Sequence, residues 1–388
     1  MTVHTVSDAR QPTATALPTV AVVGIHGHGA SHVRRVEDLQ ERGIATLSAL
    51  VDPRPLDGDV PWYPDLDTLL AEARPDVVVI ATPIHTHLAL ASAALWAGCD
   101  VLLEKPTTAS LAEHAELLTV VEQTGRLCQV GFQTFGSGAV DEVARIVATG
   151  ELGEITGVGA VGTWVRTAAY YQRARWAGRR TLDGVEVVDG VVTNPLAHAI
   201  ATALLLAGAR TAQDVTDVRL DLHRAHPIEA DDTSAVVIET RSGVRVAAGL
   251  TLCAPERSPA RVTVRGTLGT VTLLYETDEL EVSSPRGTRR IRCGRVDLLT
   301  QLLTARAHPP VTLRCSVADT GAFLRVLEAV RTGPDPLPVP DAFVEWLDEG
   351  GARHPVIADV EAWCARVADE GATFTELGAP FAAGTRRS

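Results

Sequence analysis

A chain of 388 residues with 46% apolar content and a formal charge of −13 has room for two domains with substantial cores. That charge excludes a broad nucleic-acid or membrane surface, so anionic ligands have to be held locally, by backbone amides and single side chains. The six cysteines (99, 128, 253, 293, 315 and 364) show no CxxC pair or zinc spacing, and no apolar run is long enough to span a membrane; reduced thiols in a cytoplasmic protein are expected.

Residues 1–17 are polar, carry Arg10 and lack the apolar core of a signal peptide, so a flexible N-terminus is expected. The β-branched run over 19–23 reads as a strand ending at Gly24. Gly24-Ile25-His26-Gly27-His28-Gly29 follows, and a helix over 30–42 closes at Gly43. Strand, glycine loop and helix are the setting of the dinucleotide fingerprint G-x-G-x-x-G. Here His26 stands at the second glycine's place, and Gly27 comes one residue late. A shifted turn through Gly27 lets backbone approach a pyrophosphate, with His26 or His28 as a phosphate contact; an ordinary tight turn is the other reading. The strand over 45–51 delivers Asp52, whose carboxylate can accept hydrogen bonds from ribose hydroxyls and repels a 2′-phosphate. NAD is the expected cofactor, with NADP left open by the nearby Arg54, and a plain Asp-Pro turn is the alternative.

A short helix over 66–73 leads to an apolar strand over 77–81, as expected in a sheet buried on both faces. Thr82-Pro83 ends it, and a helix over 85–97 closes at Gly98, with His85 and His87 readable as caps. The strand over 101–103 runs into Glu104-Lys105-Pro106. Lys105 is the only lysine among 35 Lys and Arg residues, so plain positive charge is supplied elsewhere by arginine. A lysine is a compact ammonium whose pKa moves on burial. At the carboxyl end of a parallel strand it sits where ligands bind; a surface lysine is the bland alternative. A Ser110-capped helix over 111–123, Gly125 and a strand over 127–131 complete an alternating βα unit.

The second half changes character. A helix over 138–149 and a strand over 155–164 precede an aromatic and cationic loop, Trp164 to Trp176. An apolar helix over 194–206 carries Asn194 and His198, and strand-rich sequence over 215–282 implies hairpins and an antiparallel sheet. Helices over 317–331 and 360–369 follow. The fold class is therefore α/β: an N-terminal doubly wound parallel sheet over 18–135, and an α+β domain over 136–382 with a large, mostly antiparallel open sheet, then a flexible tail over 383–388. The face of that sheet away from the helices carries many Val and Leu residues, so a homodimer or homotetramer through it is expected.

Three stretches resemble the Gfo/Idh/MocA oxidoreductase family: the glycine loop, Thr82-Pro83-Ile84-His85-Thr86-His87 with 98–106, and Asn194-Pro195-Leu196-Ala197-His198. The closing Glu376-Leu377-Gly378-Ala379-Pro380 is also similar, so the likeness spans 19–382. The resemblance implies a Rossmann domain and NAD(P)-dependent hydride transfer on sugars, inositols or related polyols. It implies a cofactor site of Gly24, Ile25, His26, Gly27, His28, Gly29, Asp52, Thr82, Pro83, His87, Glu104, Lys105 and Gln133. The family commonly has D-x-G-x-H-x-x-D around its histidine; Asn194, Leu196 and Ala201 stand at the Asp, Gly and final Asp places.

Alcohol oxidation needs an acceptor for the hydroxyl proton that titrates near neutrality, which points to His198. Charge developing on oxygen needs a fixed positive donor, which points to Lys105. Asn194, one helical turn before His198, can hold the substrate hydroxyl or orient the ring. Trp164, Arg166, Tyr170, Tyr171, Arg175 and Trp176 have the chemistry of a sugar pocket, and equally of a subunit contact. No carboxylate–histidine set has metal spacing, so no metal is expected. Two other activities share this chemistry or fold: an NAD-dependent glycosidase using transient oxidation, and a non-catalytic NAD(P) sensor.

Overall fold

The computed structural model describes residues 16–56 and 58–382. The expected flexible ends, 1–17 and 383–388, fall outside them apart from residues 16 and 17.

The first sheet contains β1 (Thr19–Val23), β2 (Thr46–Val51), β3 (Trp62–Tyr63), β4 (Val77–Ile80), β5 (Asp100–Leu103) and β6 (Cys128–Val130). All its pairings are parallel, in the order β3-β2-β1-β4-β5-β6. Alternate residues face opposite sides, as the two-residue period of a strand requires. Val20, Val22, Val77, Val79 and Leu102 pack against helix α1 (Gly29–Glu41). Ala21, Val23, Val78, Ile80, Val101 and Leu103 pack against α2 (Leu66–Glu72), α3 (His87–Trp96) and α4 (Leu111–Thr124). The strand order reverses between β1 and β4, so a crevice opens at their carboxyl ends.

Helix α5 (Gly138–Ala148) leads into β7 (Ile155–Thr163), a one-turn helix α6 (Ala168–Tyr171) and a small hairpin, β8 (Thr181–Leu182) and β9 (Val185–Glu186). The buried helix α7 (Ala197–Leu206) follows. Then come β10 (Val215–Arg224), β11 (Thr233–Thr240), β12 (Val246–Thr251), β13 (Arg261–Gly266), β14 (Thr270–Leu274), β15 (Glu279–Ser284) and β16 (Gly287–Arg292). With β17 (Leu337–Pro338) they form a nine-stranded sheet, parallel only at β7–β12 and β10–β17. Helices α7 and α9 (Gly321–Thr332) cover one face. Helix α8 (Leu298–Ala307), which the sequence pattern did not suggest, returns to the first sheet: Leu298, Leu299, Leu302 and Leu303 join the α1 core.

Among the described residues, the expected open apolar face is covered by the chain itself. Helix α10 (Val360–Glu370) lies across β7 and β12 on that side, as does a core with Phe374, Ala379 and Phe381. A hairpin of β18 (Val344–Glu349) and β19 (Ala352–Ile357) adds Ile357. Gly159 and Gly249 permit the approach: a Cβ on Gly249 would stand 2.3 Å from Cys364 O, and one on Gly159 2.6 Å from Ala368 O. Further along, Val262, Val264, Val271, Leu273, Leu280 and Val282 all point into the α7 core. The opposite face there carries Arg261, Thr263, Arg265, Thr272, Glu279 and Glu281. The many Val and Leu residues thus serve one face, and the chain covers its other apolar part itself.

Candidate active site

The glycine loop turns at the crevice. Gly24 N donates to Val51 O (2.8 Å), with φ +80° and no room for a Cβ beside Ala81 O. Gly29 presses against Gly24 O, where a Cβ would stand 1.7 Å away, so α1 packs close to β1. Gly27 has φ +59° and open space within 4 Å of its missing Cβ. That open backbone is the cradle a pyrophosphate needs, and the chain fits a dinucleotide here.

Asp52 ends β2, accepting from Ile25 N (3.4 Å), Arg54 N (3.0 Å) and Arg54 Nε (3.1 Å). Its burial works against charge, but these hydrogen bonds outweigh it and hold the carboxyl below its ordinary range. His26 Nε2 lies 3.6 Å from Asp52 Oδ1.

Glu104 is buried, and its Oε1 meets His28 Nε2 (3.2 Å) and His32 Nε2 (2.9 Å), while Oε2 accepts from Lys105 N (3.1 Å). Burial opposes its charge, yet the two imidazoles hold the carboxyl well below its usual range. The hydrogen bond to Glu104 in turn raises the His28 pKa. Glu104 thus links the loop histidines to the turn after β5. His87 makes a second link. It is buried, with Nδ1 2.9 Å from Pro106 O and Nε2 2.9 Å from Thr82 O, so it staples the turn after β4 to the turn after β5. Thr82 and Thr86 share a hydroxyl hydrogen bond (2.6 Å), and Pro83 and Ile84 line the cleft beyond. Gln133 lines a separate 490 Å³ cavity with His28, His32 and Arg295.

Lys105, joined to Pro106 by a cis peptide, projects into a 110 Å³ cleft with Pro83, Ile84, Trp176, Val188, Asp189 and Asn194. Its Nζ donates to Asn194 Oδ1 (2.6 Å) and Asn194 O (3.1 Å). Burial lowers its pKa, against the charges of Glu104 and Asp189. Asn194 Nδ2 donates to Asp189 Oδ1 (2.5 Å), and Arg173 lies 3.7 Å from Asp189 Oδ2. Neither Asp189 nor Arg173 was singled out from sequence; the only signal for Asp189 is an Asp-Gly pair within an apolar run, VVDGVV.

His198 is the second residue of α7, four residues beyond Asn194, edge-on to Phe132 (5.5 Å) and near Tyr275 (6.5 Å). Its Nδ1 is buried without a hydrogen-bond partner. Burial, then the Lys105 ammonium, push its pKa down to about 3. An imidazole titrating near neutrality was expected; this one stays neutral because it is desolvated beside a cation. Ala201, at the place of the family's last Asp, is buried and brings no carboxylate.

The aromatic loop does not form one pocket. Trp176 reaches the Lys105 cleft, with Arg173 4.8 Å over its ring and 3.5 Å over Tyr170. Arg166 stacks between Trp164 (5.1 Å) and Tyr170 (4.8 Å). Tyr171 and Arg175 line a different, 940 Å³ cavity with Arg179, Arg180 and Arg224, and Arg175 pairs outward with Asp183 (3.1 Å). Among the described residues, the fold gathers two carboxylate–histidine sets that linear spacing could not reveal: His28, His32 and Glu104, and His226, Asp232 and Cys253. Both are tied up internally; His226, for example, meets Asp232 Oδ2 (3.0 Å) and Arg166 O (3.0 Å).

A parallel sheet with an open glycine turn at its switch point, and a cleft where a lysine after one of its strands meets an asparagine of the second domain, is the architecture of a two-domain dinucleotide-binding protein. The comparisons narrow this. Residues 19–132 match the "Oxidoreductase family, NAD-binding Rossmann fold" and residues 140–272 the "GFO/IDH/MocA C-terminal domain". The chain belongs to the Gfo/Idh/MocA family of NAD-binding oxidoreductases. It is 27% identical over 268 residues to inositol 2-dehydrogenase 1 of Saccharopolyspora erythraea, covering 66% of this chain and 73% of that one. It is 25% identical over 323 residues to inositol 2-dehydrogenase of Leifsonia xyli, covering 81% and 85%. Among solved structures, the WlbA dehydrogenase of Bordetella pertussis in complex with NADH and UDP-GlcNAcA superposes with TM-score 0.67 at 21% identity, covering 81% of this chain and 95% of that one. A levoglucosan dehydrogenase with NADH and levoglucosan gives 0.66 at 18%, covering 81% and 95%. At these identities the two structures establish the fold. Among the described residues, no helix is long and apolar enough to cross a membrane.

Proposed function

We propose that the protein moves a hydride between NAD and a carbinol or carbonyl carbon of a sugar, inositol or related polyol. The observation that carries this is the contact of Lys105 Nζ, at the carboxyl end of β5, with Asn194, four residues before His198 in the turn that leads into α7. The loop of Gly24, Gly27 and Gly29 would hold the pyrophosphate, and Asp52 the adenosine ribose, with its charge favouring NAD over NADP. Bound nicotinamide supplies the hydride acceptor or donor.

The chain's own residues manage the oxygen. As the hydroxyl loses its proton, the Lys105 ammonium stabilises the negative charge on oxygen, a contribution of about 10²- to 10³-fold by analogy with single oxyanion donors. His198, four residues beyond Asn194, is the group that accepts the hydroxyl proton and returns it in the reductive direction. Burial beside the Lys105 ammonium keeps the resting ring neutral and so open to a proton. Trp176 offers an apolar wall for the C–H face of a ring.

The test is NADH absorbance with a panel of sugars and inositols, on wild type and Lys105→Met. The expected result is turnover of at least one polyol with wild type and a loss of about 10²- to 10³-fold in kcat with Lys105→Met, NADH binding being retained. Unchanged kcat in Lys105→Met would remove the oxygen-stabilising role.

A further inference from the structure

Two features around Lys105 are left unexplained by hydride transfer as such. The first is a carboxylate behind the asparagine. Asp189 is buried, accepting from Asn194 Nδ2 (2.5 Å) and Gly178 N (2.7 Å), with Arg173 3.7 Å away. An amide side chain can turn either end toward a neighbour, and here the carboxylate selects the orientation. It can only accept, so the Asn194 NH₂ has to face Asp189, and Oδ1 is left for the Lys105 ammonium. The second feature is the turn that delivers this carboxylate. Val188 has φ +43°, a left-handed backbone that is unfavourable for a β-branched residue. Val188 O accepts the Thr193 hydroxyl, and Val188 N bonds Arg180 O (3.1 Å), so the surrounding loop enforces the conformation. Strain of this kind persists where the surroundings over-determine it, often beside a functional group.

We propose that Asp189 is a positioning residue for the Lys105 ammonium, acting through Asn194: it fixes the amide so that Oδ1 faces Nζ, and it supplies the negative charge that Asn194 itself lacks. The inference rests on the assignment of Lys105 to the reacting oxygen. The carboxylate absent from position 194 is thereby returned to the site five residues upstream, with a neutral amide between it and the ammonium. Other charges near Lys105 are Glu104 behind it, which also favours the ammonium, and Arg173, which opposes it. The neutral His198 contributes no competing charge.

The single lysine makes the test direct, because protein labelled with [ε-13C]lysine gives one side-chain resonance that can be followed against pH without substrate or cofactor. Asp189→Asn is isosteric and still offers Gly178 N an acceptor. The expected result is that Lys105 titrates at lower pH than in wild type, while kcat falls about 10- to 100-fold with its alkaline limb moved the same way and KM little changed. Asp189→Asn combined with Asn194→Asp, which puts the carboxylate directly on Nζ, is expected to bring both readouts back toward wild type; a merely structural role for Asp189 predicts no such rescue. Arg173→Gln is expected to move the titration upward, and it stands as an independent arm if Asp189→Asn melts. A Lys105 titration unchanged in both Asp189→Asn and Arg173→Gln overturns the proposal. A shifted titration with no polyol activity in any variant would instead count against the oxygen-stabilising role, leaving the Asp189 linkage standing.

Discussion

Charge in this site is set by what lies two residues deep. His198 is the clearest case. Its folded pKa of about 3 lies below the ordinary 6.5, so between those values the unfolded chain takes up a proton that the folded chain refuses. The folded state therefore loses stability as pH falls from 6.5 toward 3. His198→Gln is expected to flatten the dependence of Tm on pH over that window and to leave Tm near pH 8 much less affected; an unchanged slope would mean that the ring is solvated. Asp52 is the second case. Its carboxylate is held ionised mainly by Arg54, which also offers a cation to a 2′-phosphate once the acid is neutralised. Asp52→Asn is expected to reduce the preference for NADH over NADPH by about tenfold in Kd, measured by fluorescence titration of both.

At the scale of elements, local signals were reliable where chemistry is local. Ser110 caps α4 through Glu113 N (3.2 Å) and Gly125 ends the helix left-handed at φ +61°, as the capping pattern implied, while Glu113 Oε2 reaches one residue past the cap, to Ala109 N (2.9 Å). Apolar runs placed β1, β2, β4, β5 and β6 to within a residue or two, while the two-residue edge strand β3 was not expected. Helix α10 was also placed, at 360–369, but its seat on the sheet was not, because that depends on two glycines rather than on its own sequence. Gly249→Ala would push a methyl group into the Cys364 backbone, 2.3 Å away. The expected cost is about 1–3 kcal/mol in urea denaturation, with NADH binding preserved because the first sheet does not touch that seam. A neutral Gly249→Ala would show that α10 floats on the sheet.

For the molecule as a whole, the chain crosses between its sheets more than once. Helix α8 leaves the second sheet to complete the α1 face of the first, and Gln129 Nε2 ties β6 to Leu298 O (2.9 Å) and Gln301 Oε1 (2.6 Å). Arg306 binds Asp76 and Asp100 at the far end of the same sheet, its salt bridge to Asp100 measuring 2.6 Å. The two halves are thus pinned together on the side away from the catalytic crevice. On the second sheet, the C-terminal run of α10, Phe374 and Phe381 occupies the apolar area that was expected to recruit another copy.

The amino-acid order alone determined the βα alternation, the glycine turn, Asp52 at its strand end and the lone lysine at another, because each depends on neighbours within a few residues or on composition. Only the tertiary structure decided that Glu104 and His87 face inward, that the aromatic loop divides between two cavities, that His198 is held neutral, and that Asp189 stands behind Asn194. These depend on burial and on contacts across large sequence separations, such as the 89 residues between Lys105 and Asn194. Desolvation and through-space charge act by distance in the folded chain, and no local pattern of residues encodes that distance.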